Sequence, residues 1–240
     1  MSRKQRQIRL FVGVKVSMET VKALADAAEV MRREAYDAGY QIRWVAPATY
    51  HITLKFLGWS QPEILTAIGD RLAPRLEELS PFEISSSGLG AFPDKANARV
   101  IWAGVDDPEG GLAGIASIVE DELCELGFAR EKRPFHAHIT LGRVKRVDDI
   151  STLLHRVPEQ KFRATRVDRV TLFESIMKSK GSEYSSRADW RLRTRRAGAK
   201  CQTGAVQQSR EHEPEEPTPP SESTAMEQTP EHAVQESSGT

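Results

Sequence analysis

Cysteine is scarce: the 240-residue chain has two, Cys124 and Cys201, which is too few for a disulfide framework and makes a reducing, cytoplasmic setting the expectation. Long apolar runs are missing as well. The opening stretch MSRKQRQIRLFVGVKV sets basic residues before a short apolar segment, but Lys15 interrupts that segment and leaves it short of a signal peptide's apolar core. No stretch approaches the roughly twenty apolar residues of a membrane-spanning helix, so a soluble protein with no membrane partner is expected. From Ala197 onward Phe, Trp, Tyr, Ile and Leu are all absent, and Glu, Pro, Ser, Thr and Gln predominate. Such a segment buries too little apolar surface to offset its ordering entropy. Residues 197–240 are therefore expected to form a disordered acidic tail behind a globular domain of residues 1–196.

Net charge is absent only in the aggregate. In the tail Lys200 and Arg210 face eight glutamates, a charge of −6, so with the whole chain at zero residues 1–196 carry +6. A moderately basic body suits a phosphate-bearing partner, although a solvated, soluble surface accounts for most of those charges equally well.

One tetrapeptide is present twice. His51-Ile52-Thr53-Leu54 lies inside YHITLKFLG and His138-Ile139-Thr140-Leu141 inside FHAHITLGR, 87 positions apart. Each copy alternates polar and apolar residues, so on a β-strand His51 and Thr53 share one face, as do His138 and Thr140. A lone histidine on a half-buried strand is usually structural. Two identical copies that each aim an imidazole and a hydroxyl the same way point to chemistry.

Around these strands the pattern predicts a strand at 9–16, a helix capped by Ser17 and ended by Gly39, and a short strand at 42–45. The first histidine strand follows at 50–57. A helix from Pro62 to about 79 comes next, with Pro74 expected to kink it or end it early. A hairpin of 82–89 with 99–105, a helix at 111–126 and the second histidine strand at 135–142 come after it. A short helix at 148–155 and strands at 162–173 and 183–192 complete the domain. This order indicates an α+β fold with largely antiparallel pairing. Internal duplication into two lobes facing across a central cleft, each with its own antiparallel sheet and helices outside, is the simplest arrangement that brings His51 and His138 together.

Two histidines can act as general acid and general base near neutral pH, the equipment needed to cleave a phosphodiester without a metal. One imidazole takes a proton from the attacking water and the other supplies one to the departing alkoxide. Thr53 and Thr140 can donate hydrogen bonds to non-bridging phosphate oxygens.

The paired HITL motifs match the HxTx signature of the two-histidine (2H) phosphoesterase superfamily. The segments RLFVGVKV, RWVAPATYHITLKFLG, GLGAFPDKANARVIWAGV and GFAREKRPFHAHITLGR closely resemble LigT-like RNA 2',3'-cyclic phosphodiesterases, over essentially residues 8–193. The resemblance implies a bilobal fold with a pseudo-twofold cleft and metal-independent opening of an RNA 2',3'-cyclic phosphate to a 2'-phosphomonoester. It implies His51 as proton donor and His138 as proton acceptor; the symmetry of the motifs gives no basis for choosing between these roles. A catalytically silent RNA-end binding module, 2'-5' RNA ligation as the reverse reaction, and action on small cyclic nucleotides are the alternatives.

The secondary site candidates are Lys55, which shares strand parity with Thr53, Phe92 in the loop FPDKANA, and Arg130 and Arg133 ahead of the second motif. His136 makes an HxH pair with His138, and Arg143 has the wrong parity unless Gly142 turns the chain. No further Cys, Asp or Glu near His136 completes a metal site, so no metal and no cofactor are expected. Trp44 and Trp102, in apolar strands, are expected in the core, and Arg187, Arg191, Arg193, Arg195 and Arg196 form a basic run open to either RNA or solvent. RNA with a 2',3'-cyclic phosphate end is the expected partner, and a monomer without an obligate protein partner the expected state.

Overall fold

The computed structural model describes residues 7–157, 164–178 and 181–193. The tail expectation, together with Arg195 and Arg196, lies outside these residues.

The strand β1 (Ile8–Lys15) alternates between two faces: Leu10, Val12 and Val14 join the apolar core, while Phe11, Gly13 and Lys15 take the other side. The helix α1 (Met18–Asp37) begins where Ser17 Oγ accepts the Thr20 N–H at 3.2 Å, and it buries Leu24, Ala28 and Met31 on one stripe. After β2 (Ile42–Trp44) come the first histidine strand β3 (His51–Ser60) and α2 (Ile64–Leu76). Pro74 sits within the last turn of α2, so the helix runs past it to Leu76. The hairpin strands are β4 (Phe82–Phe92) and β5 (Ala98–Asp106). The helix α3 (Gly111–Cys124) starts on the Asp107 carboxylate, which accepts the N–H groups of Gly111 and Leu112 at 3.0 and 2.8 Å. The second histidine strand is β6 (His138–Asp148), followed by α4 (Ser151–Arg156). The single strand expected over 162–173 is divided at Asp168 into β7 (Thr165–Val167) and β8 (Arg169–Lys178), and β9 (Gly181–Arg191) closes the series.

Among the described residues the strands form one nine-stranded sheet in the order β7-β4-β5-β6-β3-β1-β8-β9, with β2 paired to β6. The two facing sheets expected from the sequence are thus joined in one, because the histidine strands pair with each other through Ile52 and Ile139. Asp168 alone separates β7 from β8, which stand near opposite ends of the strand order. The sheet therefore curls until its two ends approach. Apolar residues of α1, α2 and α3 join one core cluster with Leu10, Ile52, Ile101, Ile139 and Leu172 on a single face, leaving the opposite face to the histidines. No helix among the described residues is long and apolar enough to cross a membrane.

Both histidine strands contain the same irregularity. Val12 and Gly13 of β1 oppose Lys55 and Thr53, leaving Leu54 as an extra residue. Likewise Ile101 and Trp102 of β5 oppose Gly142 and Thr140, leaving Leu141 extra. A bulge of this kind reverses the face of every residue beyond it. The two strands accordingly share one burial sequence over their first seven residues.

Gly13 of β1 leaves no room for a side chain against the first of these strands: a Cβ there would stand 2.7 Å from the Ile52 carbonyl oxygen. Gly13→Ala should therefore destabilise the protein by about 1–3 kcal/mol through overpacking. Gly114 in α3 has no heavy atom within 4 Å of its virtual Cβ, and Gly114→Ala should stabilise by about 1 kcal/mol through helix propensity. Thermal melts of the two variants should move in opposite directions.

Candidate active site

The antiparallel Ile52–Ile139 pair sits at the middle of the site. One residue to either side, the register sets His51 against Thr140 and Thr53 against His138, all four half-buried on the face away from the helices. The pairing thus exchanges one motif for the other.

Each imidazole is oriented by the carbonyl two residues before it. His51 Nδ1–H donates to the Thr49 carbonyl at 2.7 Å, and His138 Nδ1–H donates to the His136 carbonyl at 2.8 Å. This leaves both Nε2 atoms for chemistry. His51 Nε2 lies 3.0 Å from Thr53 Oγ1, so the hydroxyl donates to it when the ring is neutral. Burial lowers the pKa of His51 below its ordinary value, opposed by the Thr49 carbonyl and assisted by the charge of His138. Burial also lowers His138, opposed by the His136 carbonyl and assisted by His136 and Arg143.

Aromatic side chains wall both rings. Phe11 and Tyr184 stand 4.8 and 5.0 Å from His51 by ring centroids, with Phe173 at 5.9 Å. Phe92 stands 5.0 Å from His138 and 5.4 Å from His136. Trp102 lies 5.1 Å from His136 and 6.5 Å from His138. Trp102 is therefore part of the site's wall and not of the core, because Ile101 and Ala103 take the inward positions of β5. Gly90 permits this, since a Cβ there would overlap the Trp102 indole. Trp44 packs against the apolar core as expected.

The bulges decide the remaining candidates. Beyond Leu54, Lys55 turns to the helix face, where it is 5% exposed and donates to Glu120 of α3 at 2.6 Å and to the Ala129 carbonyl at 2.7 Å. It does not point with His51 and Thr53 as strict alternation predicts. Beyond Leu141 the same reversal brings Arg143 onto the face of His138, directly opposite Arg43 of β2. Arg130 is exposed and held by Asp121 at 2.7 Å, and Arg133 is exposed and held by Glu131 at 3.2 Å. Among the described residues neither makes a hydrogen bond with the motif residues. His136 is exposed at the rim, and no cluster of three or more His, Cys, Asp or Glu that could hold a metal occurs among the described residues.

The LigT like Phosphoesterase family matches residues 18–102 and 104–184, well over half the chain. The chain belongs to the LigT-like phosphoesterases. A relative from Archaeoglobus fulgidus named RNA 2',3'-cyclic phosphodiesterase is 35% identical over 178 residues, spanning 74% of this chain and 96% of that protein. A crystal structure from Thermus thermophilus superposes with a TM-score of 0.66 at 29% identity, covering 78% of this chain and all of that one. Escherichia coli LigT complexed with 3'-AMP gives 0.61 at 25% identity, covering 79% of this chain and all of the other.

Several residues of this phosphoesterase's site were not read from its sequence. Phe11 and Lys15 carried a usable signal, since they alternate with Leu10, Val12 and Val14 in RLFVGVKV. Phe173, Tyr184 and Arg43 carried none, because their places depend on which strands pair and in what register.

Proposed function

We propose that the protein opens RNA 2',3'-cyclic phosphate ends to 2'-phosphomonoesters, with His51 as general acid, His138 as general base and no metal. The observation that carries this reading is the Ile52–Ile139 pairing, which turns two oriented imidazoles and two threonines onto one face. The names of the relatives and the nucleotide bound by Escherichia coli LigT support the substrate class.

In this mechanism His138 Nε2 takes a proton from water as the water oxygen bonds to phosphorus. The bond from phosphorus to the 3' oxygen breaks, and the proton on His51 Nε2 passes to that oxygen. A 2'-phosphate and a 3'-hydroxyl result, and the two rings have exchanged protonation states. Thr53 and Thr140 donate to the non-bridging oxygens, Thr53 giving up its bond to His51 on substrate entry. Burial lowers both rings, the charge of His138 adding to it at His51 and those of His136 and Arg143 at His138, and the assignment of donor and acceptor follows the resemblance to the family. The internal likeness of the two strands, bulge for bulge, supports a duplicated origin for the two halves.

The test is to incubate the protein, with chelator present, with RNA bearing a 2',3'-cyclic phosphate end, and to identify the product. A 2'-monoester is expected. A 3'-monoester, or loss of activity on chelation, would count against the mechanism, and capture of RNA without product would leave a binding module in its place. In the same assay kcat/KM reports the free-enzyme pKa values of acid and base. Because both histidines are lowered from 6.5, the bell-shaped profile should peak below pH 6.5: activity is lost at low pH as the base protonates and at higher pH as the acid deprotonates.

A further inference from the structure

The line of cross-strand partners that passes through His51 continues well beyond it. Lys15 of β1 stands directly opposite His51. Extending the β1–β8 register past the Gly13–Thr171 pair brings Arg169 beside Lys15, and Arg191 of β9 stands directly opposite Arg169. Directly opposed residues share a face of the sheet, so His51, Lys15, Arg169 and Arg191 form one row across four strands on the face of the site. With strands about 4.8 Å apart, Arg169 and Arg191 lie roughly 10 and 14 Å from the histidine's strand.

Space accompanies the row. Lys15 and Arg169 line a cavity of about 300 Å³ together with Arg166, Asp168 and Thr171. A neighbouring cavity of about 360 Å³ is lined by Arg166, Asp168, Arg191 and Arg193. Asp168 is the only carboxylate in either lining, against three cations in each. Lys15 has Asp189 at 3.8 Å and Arg193 has Glu77 at 3.4 Å. Among the described residues no carboxylate lies within 4.0 Å of the guanidinium groups of Arg166, Arg169 or Arg191. Asp189, on the same face, acts on Arg169 as well as on Lys15 and is itself held by the Thr171 and Ser186 hydroxyls, so it offsets only part of the row's charge. Like charges directly opposite on paired strands repel, so the Arg169–Arg191 pair favours a further anion that arrives from outside. The spacing of the cations along a row that begins at a catalytic imidazole fits a chain of regularly spaced charges better than one compact anion.

We infer that this row seats the phosphodiester backbone on the 5' side of the cyclic phosphate, so that the preferred substrate is the end of an oligonucleotide and not a free cyclic mononucleotide. The inference rests on the proposed RNA-end chemistry and adds the direction in which the chain leaves the site. A 2',3'-cyclic phosphate closes the 3' end, so the only backbone that can extend from it runs through the 5' oxygen. A cyclic mononucleotide has no phosphate there and gives the row nothing to bind.

The test is the double variant R169Q/R191Q against the wild type, comparing kcat/KM on a cyclic-phosphate-ended oligonucleotide and on a 2',3'-cyclic mononucleotide over a range of KCl concentrations. Loss of two phosphate contacts on a single strand should lower the oligonucleotide-to-mononucleotide ratio roughly 25-fold at 0.1 M salt and flatten the salt slope of the oligonucleotide reaction by about 1.4. An equal loss on both substrates, or an unchanged ratio and slope, would overturn the inference. Wild-type protein inert toward both substrates would overturn the RNA-end reading itself, and this inference with it.

Discussion

His51→Ala and His138→Ala should each lower kcat on a cyclic-phosphate-ended RNA by about 10²–10⁴-fold, the usual contribution of a positioned acid or base. The double variant should be little worse than either single one, because the two rings act on one transition state and their effects do not add. The limbs of the pH profile then assign the roles. If His51 is the acid, H51A loses the fall in activity at higher pH, and H138A loses the fall at lower pH. The opposite pattern would exchange the two roles, and undiminished activity in either variant would end the acid–base reading. Each ring donates through Nδ1 to a main-chain carbonyl, so replacing it by alanine deprives no other side chain of a partner at Nδ1. Of the two threonine hydroxyls only Thr53, two residues along the same strand, loses a bond, the one it makes with His51. Circular dichroism should report a folded protein in both cases.

Lys55→Met should have the second largest effect, and on stability instead of chemistry. The Lys55 side chain is 3% exposed and its partner Glu120 19%. Removing one member of such a pair leaves the other charge buried without compensation, a loss of about 3 kcal/mol. For a domain of this size that corresponds to a fall in Tm of roughly 6–12 °C. Lys55 also donates to the Ala129 carbonyl, while Glu120 accepts the Glu131 N–H at 3.3 Å, so the pair fastens the segment that leads into the second histidine strand. Below its melting transition the variant should retain kcat within severalfold of wild type. A loss of kcat comparable to that of the histidine variants, without a fall in Tm, would instead mean that Lys55 reaches the phosphate.

Lys55 and Arg143 show where strand alternation stops serving as a guide. Counting by twos from His51 assigns Lys55 to the site, and counting from His138 removes Arg143 from it. One extra residue in each strand, Leu54 and Leu141, reverses both assignments. Trp102 misleads for a different reason. An unbroken apolar strand, RVIWAGV, looks buried on both faces, but one of its faces is the wall of the site, where an aromatic ring packs against His136 and Phe92. Helices were more legible. Ser17 caps α1, and the apolar stripes of α1 and α3 enter the core where their spacing places them, since those signals are local in the chain.

By itself the sequence determined the two histidine–threonine pairs, their alternation with buried Ile52 and Ile139, the α+β order of elements and the family. These are properties of short segments, carried by residue type and spacing. Only the tertiary structure decided that the two motif strands pair with each other through Ile52 and Ile139 in one curled sheet, that bulges turn Lys55 away and Arg143 in, and that Phe173, Tyr184, Arg169 and Arg191 stand on the same face as His51. Strand pairing and register are set by contacts between residues distant in the chain, and a shift of one residue moves a side chain to the opposite face. That is why the histidines were readable before folding and their surroundings were not.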